Sequence, residues 1–127
     1  MKAQSSIEFI ILIGAVMFFL LAFFILMQGN IADKQSEKQN LLANGVAEAI
    51  QNEINIASNS NNGYQREFTV QNSLENEEYA LSITEDMIYV RTDNGRHAVA
   101  LPIPQVQGTI TKGVNKIKKQ NDTIYLN

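Results

Sequence analysis

Hydrophobic and polar positions along these 127 residues fall into three regimes that differ in period. Residues 9–27 are apolar without interruption, and Gly14 is their only glycine. With no polar face to set a period, such a run reads as a helix apolar all round; at 1.5 Å per residue it spans about 28 Å, the hydrocarbon thickness of a bilayer. Residues 33–40, Asp-Lys-Gln-Ser-Glu-Lys-Gln-Asn, are polar all round, with Lys34 and Glu37 three apart. From there Leu42, Val46, Ile50 and Ile54 recur every four residues with Ala43, Ala47 and Ala57 beside them, the mark of an amphipathic helix laid on a sheet. Gly29 is the expected site of a bend or an unwound turn, and Ser58-Asn59-Ser60-Asn61-Asn62-Gly63 supplies the stop. One helix over residues 5–57 would be roughly 80 Å long, a stalk rather than part of a compact domain.

Beyond Gly63 the period becomes two. Phe68 and Val70 alternate with polar neighbours, as do Tyr79, Leu81 and Ile83; Ile88 and Val90 follow. Asp93-Asn94-Gly95 is a hairpin turn whose return strand covers residues 97–101, with Val99 and Leu101 on one face. Pro102 and Pro104 end that run. Thr109-Ile110-Thr111, bracketed by Gly108 and Gly113, reads as a short edge strand. A last pair over 114–118 and 123–126 is joined through Gln120-Asn121-Asp122. The fold class is therefore α+β: a long N-terminal helix whose amphipathic half packs on a small antiparallel meander of four to six strands.

The chemistry of the first turn centres on Glu8, the carboxylate in front of the apolar run. Ser5 is the expected N-cap, and Ser5-x-x-Glu8 has capping-box spacing, which by itself accounts for a glutamate here at about 1 kcal/mol or less. An ionisable group at the mouth of a membrane helix also marks function. Gln4, Ser6, Glu8 and Leu12 fall in the order Gln-x-Ser-x-Glu-x-x-x-Leu immediately before and into the hydrophobic segment. This resembles the class III, prepilin-like signal peptide of archaeal type IV pilins. The match covers the first tenth of the chain.

The resemblance implies cleavage by a membrane peptidase between Ala3 and Gln4, leaving Glu8 as fifth residue of the mature chain. It also implies a pilin-like fold of long helix and β head, and a division into leader 1–3, membrane and filament-core helix 4–30, amphipathic continuation 31–62 and head 63–127. In an assembled filament the Glu8 carboxylate would meet the N-terminal amine of a neighbouring subunit and set the axial register. At ~4 Å and an effective dielectric near 20 that attraction is about 4 kcal/mol before desolvation. Cyclisation of Gln4 to pyroglutamate would remove the amine, and Glu8 would then need a hydrogen-bond donor. Capping and register are compatible roles.

Composition narrows the field. The apolar core is too long for an ordinary secretory signal, and the residues after it offer no Ala-x-Ala site. With one lysine before the span and mixed charges after it, a cytoplasmic start and external remainder is the favoured orientation. The absence of cysteine excludes disulfides and thiolate metal sites. A formal charge of −3, without a basic stripe, argues against nucleic acid as partner.

No catalytic constellation emerges, and neither a cofactor nor a metal site is expected. His97, the one histidine, lacks a carboxylate at metal-ligand spacing. Glu75, Glu77, Glu78, Glu85 and Asp86 form an acidic patch without EF-hand spacing. Lys112, Lys116, Lys118 and Lys119 suit either an anionic surface or the protection of an edge strand. Tyr64, Tyr79, Tyr89 and Tyr125 suit either sheet packing or outward adhesion. Asn121-Asp122-Thr123 is an N-glycosylation sequon in an expected turn.

The resulting expectation is a non-enzymatic subunit of an archaeal type IV pilus or related surface filament, residing in the cell membrane as precursor and on the cell surface afterwards. Its partners would be copies of itself, the prepilin peptidase, the membrane assembly platform and, before assembly, lipid. The alternatives are a minor pilin or pseudopilin of a secretion-type machine, and a single-pass membrane-anchored β module that does not polymerise.

Overall fold

The computed structural model describes the backbone of residues 2–84 and 86–127, and side chains from Ser6 onward with the exception of Glu85. One α-helix, α1, runs Lys2–Asn59. It begins earlier than the capping-box reading places it. Ala3 and Gln4 are good helix formers, so the Ser5 backbone lies inside the first turns rather than at an N-cap. The helix is continuous through Gly29, so no turn unwinds there. Met27 and Gln28 before the glycine are good helix formers, and the Asn30 side chain, one residue on, donates from Nδ2 to the Leu26 carbonyl at 3.1 Å.

The chain divides into two compact units, residues 1–37 and 38–127, with the boundary inside the polar run of α1. The first unit is a single helix. In the second, residues 38–59 of α1 pack with seven strands: β1 (Gln65–Val70), β2 (Tyr79–Thr84), β3 (Met87–Thr92), β4 (Ala98–Pro102), β5 (Val106–Gly108), β6 (Gly113–Gln120) and β7 (Thr123–Leu126). They make two sheets, β1-β6-β7-β5 and β2-β3-β4. The period-four stripe is the helix contribution to the core. Ala43, Val46, Ala47, Ile50, Ile54 and Ala57 are buried against Ile88 and Val90 from one sheet and Ile117, Ile124 and Leu126 from the other, with Leu42 half-buried beside them.

The single meander expected from the pattern is thus only half of the arrangement. β2, β3 and β4 do form one, antiparallel throughout. The other sheet places β6 between β1 and β7, and β5 joins β7 in parallel. Pro102 is the last paired residue of β4, opposite Met87; the Ile103 amide still donates to the Asp86 carbonyl at 2.8 Å, and the chain leaves the first sheet at Pro104, which has no amide to give.

The expected edge strand at Thr109–Thr111 is a loop, and the true edge strand lies just before it. Gly108 ends that strand with φ 111, and a Cβ there would stand 2.0 Å from the Leu126 carbonyl oxygen. Only glycine allows this close strand approach. Loop residue Thr111 is held by buried Asn115: its amide donates to Asn115 Oδ1 at 2.9 Å, and its carbonyl accepts from Asn115 Nδ2 at 2.7 Å. The β6–β7 hairpin turns on Asn121 and Asp122, with φ 50 and 59, the positive values of a two-residue type I′ turn.

Candidate functional site

The N-terminal unit presents the most unusual surface of the molecule. α1 carries a stretch long and apolar enough to cross a membrane, and none of it is buried. Phe18, Phe19, Ile25 and Leu26 are each about 70 % exposed, and large apolar side chains project in every direction around the axis. Leucine, phenylalanine, alanine and methionine sustain the helix without a polar face to orient it in water. An apolar groove of 530 Å³ runs over Ala22 between the ridges of Val16, Phe19, Leu20, Phe23 and Leu26. At the head of this surface Ser6 and Glu8 lie within one helical turn and Leu12 on the next, all exposed. The Ala3 and Gln4 side chains lie outside the described residues, so the geometry of that peptide bond is not part of the site.

The charged clusters of the sequence resolve into separate tasks in the second unit. Lys112 Nζ binds Glu78 at 2.6 Å and lies 4.6 Å from the centre of the Tyr79 ring. Lys116 pairs with Glu67 at 3.1 Å. Lys118 stands over the Tyr125 ring at 5.6 Å. Lys119 points inward, where its ammonium donates to the Ser58 and Ser60 carbonyls at 2.7 and 3.0 Å and so caps the end of α1. The lysines therefore do not gather into one anion-binding patch.

The acidic residues are dispersed in the same way. Glu75 pairs with Lys38 at 2.8 Å, and Glu77 accepts a hydrogen bond from Asn94 Nδ2. Glu85 lies outside the described residues. Among the described residues no three His, Asp or Glu side chains come together as a metal-binding group. His97 serves the β3–β4 turn through its backbone, exchanging hydrogen bonds with buried Thr92. Tyr79 is buried with its hydroxyl donating to the Gln71 carbonyl; burial first, and then the Glu78 carboxylate, push its phenol above the ordinary value.

Asn121 is exposed at the first position of the I′ turn. The turn is anchored by the Asp122 amide, which donates to Asn62 Oδ1 at 2.9 Å.

Two features carry no motif and escape a reading of the sequence. One is a cleft of 290 Å³ between α1 and β1, floored by Gly45 and Ala49 and crossed by the Glu53–Arg66 ion pair at 3.5 Å. The other is a trough on the outer face of the three-stranded sheet, containing Tyr89 and Arg91. Strand alternation puts both side chains outward, but only the register reveals what flanks them. No family model, curated protein or solved structure matches this chain.

Proposed function

We propose that this chain is the structural subunit of an archaeal type IV pilus or a related cell-surface filament, cut by a prepilin-type peptidase before Gln4. The observation that carries the proposal is the uncovered apolar surface of α1, preceded by the Gln4, Ser6, Glu8 and Leu12 pattern. Such a surface needs an apolar surrounding on all sides. Lipid supplies it to the precursor, and identical helices supply it in the filament. Each large side chain buried there contributes about 1.5–3 kcal/mol, so the helix alone provides ample cohesion. Glu8 sets register through the new N-terminal amine, or through a donor group if Gln4 cyclises. The role needs no active site, and the exposed turn at Asn121 is accessible to a glycan.

The test is the N-terminus and intact mass of the protein from membranes and from sheared surface material. The expected product begins at Gln4, free or cyclised, is enriched in the sheared fraction, and reports any glycan by mass. A chain that begins at Met1 and stays in membranes overturns the filament reading and leaves the tethered β module. Replacement of Glu8 by Ala is expected to abolish filaments while membrane insertion stays normal; unchanged filaments would remove the register role.

A further inference from the structure

Strand register organises the outer face of the three-stranded sheet into rows. Ala80, Arg91 and Ala98 form one, and Ser82, Tyr89 and Ala100 the next. The central strand thus raises Tyr89 and Arg91 between small side chains on both flanks, leaving a trough of 490 Å³. Alanine and serine are poor choices for strand positions, where branched or aromatic residues pack better. Their use at four flanking sites leaves the Tyr89 ring uncovered, 42 % of the residue being exposed. Local propensity is set aside here for open space, as at functional sites.

The trough also carries a charge beside its exposed ring. Among the described residues Arg66, Lys38, Lys112, Lys116 and Lys119 have carboxylate partners, Lys118 lies over the Tyr125 ring, and Lys34 and Arg96 stand in solvent away from any aromatic ring. Arg91 is exposed, and among the described residues its guanidinium enters no ion pair or hydrogen bond. No acidic residue shares its rows. A chain of net negative charge therefore holds a free planar fork of donors beside a bare aromatic ring.

We propose that this trough binds a short acidic saccharide of the uronic acid type. The apolar face of a pyranose ring stacks on Tyr89, its carboxylate takes the Arg91 fork, and the Ser82 hydroxyl stands in the same row for a ring hydroxyl. Size selects this occupant over a protein partner. Three strands of about five residues present a face of about 14 by 17 Å, well short of the ~800 Å² per partner of a stable protein interface. That extent suits two or three sugar rings. The inference does not depend on filament assembly, since it concerns the head in a dispersed chain.

The experiment titrates trigalacturonic acid, and separately its methyl ester, into the full chain in detergent, followed by calorimetry. The acid is expected to bind in the micromolar-to-millimolar range. The ester, and the Arg91→Gln and Tyr89→Ala variants with the acid, are each expected to bind at least about tenfold more weakly. Ser82→Phe fills the trough while favouring the strand, and should abolish binding with the thermal midpoint unchanged; Arg91→Lys should fall between wild type and Arg91→Gln. Equal binding of acid and ester, unchanged binding by Arg91→Gln, or no binding at about 10 mM sugar overturns the proposal. Sedimentation on the same samples covers a second copy as occupant: association that is lost in Arg91→Gln, without sugar binding, assigns the face to self-contact instead.

Discussion

Replacing Asn115 by Ala tests whether one buried side chain holds the irregular half of the head together. Asn115 is fully buried on β6. Its Oδ1 accepts from the Thr111 amide and from Asn127 Nδ2, each at 2.9 Å. Its Nδ2 donates to the Thr111 carbonyl at 2.7 Å and the Gly113 carbonyl at 3.0 Å. The loop before β6 and the end of β7 thus meet at one amide. Alanine removes these four contacts and the longer one from Thr111 Oγ1 to Asn115 Oδ1 at 3.4 Å. A buried group left without a partner costs about 1–3 kcal/mol, but Thr111 and Asn127 lie near water and recover part of the loss, so a destabilisation of about 2–4 kcal/mol is expected. Denaturant unfolding of the full chain in detergent, followed by near-ultraviolet circular dichroism, would show a lower midpoint at unchanged slope. The Thr111 amide should also exchange faster with deuterium. Asn115→Asp sharpens the test, because it keeps the acceptor and sets a carboxylate against two carbonyls. It should cost at least as much as Ala at neutral pH and recover as acid restores one donor. A loss under about 0.5 kcal/mol for Asn115→Ala, within the range of ordinary surface changes, would refute the account.

Three other perturbations address the same unit. Ile54→Ala, at a fully buried position of the helix stripe, should cost about 2–5 kcal/mol in the same unfolding assay. Lys119→Met keeps the aliphatic stem but strips the Ser58 and Ser60 carbonyls of their charged donor, so a loss of about 1.5–3 kcal/mol is expected, with faster amide exchange over the last turn of α1. Tyr79 predicts an alkaline effect. Its folded pKa is raised, so its contribution is complete below the unfolded value of about 10 and is lost as pH rises through the higher folded value. Lys112 above the ring and the Glu78 carboxylate are its charged neighbours. Tyr79→Phe loses the hydroxyl bond to Gln71, so its deficit in stability should narrow as pH climbs past about 10; parallel profiles would refute the assignment.

Local pattern revealed the parts of this fold that depend on nearby residues. The period-four stripe named the six buried helix positions, and alternation placed β2 to β4 and the β6–β7 pair within a residue or two but caught only the second half of β1. The failures came where a distant partner decides the outcome. Thr109-Ile110-Thr111 has strand composition, yet its backbone groups go to Asn115, a bond that no window around the loop contains. Val106-Gln107-Gly108 is too short to show a period, and it becomes a strand because Gly108 lets β7 approach in parallel. No turn unwinds at Gly29, in the opposite sense: glycine's propensity cost is small beside the cooperative length of the helix around it. The trough around Tyr89 was half visible, since alternation gives the facing of each side chain while cross-strand register gives its neighbours.

The two halves of α1 show how one helix answers to two surroundings. Over residues 38–59 most apolar positions occupy one stripe, with Leu41 and Ile56 outside it, and a sheet surface on one side covers that stripe. Over residues 9–27 there is no stripe. Ile10, Ile11, Phe18, Phe19, Leu21 and Ile25 are all exposed, although they point to different sides of the axis. A single partner helix covers a stripe about 100° wide and would leave most of these side chains in water. Adequate cover must surround the axis, which lipid does and a ring of like helices does, while a one-to-one complex does not. The absence of any polar face is therefore compatible with the lipid and like-helix surroundings of the proposed subunit. It also sets where disruption should be sharpest, because a charge placed anywhere on this segment meets the same apolar surroundings.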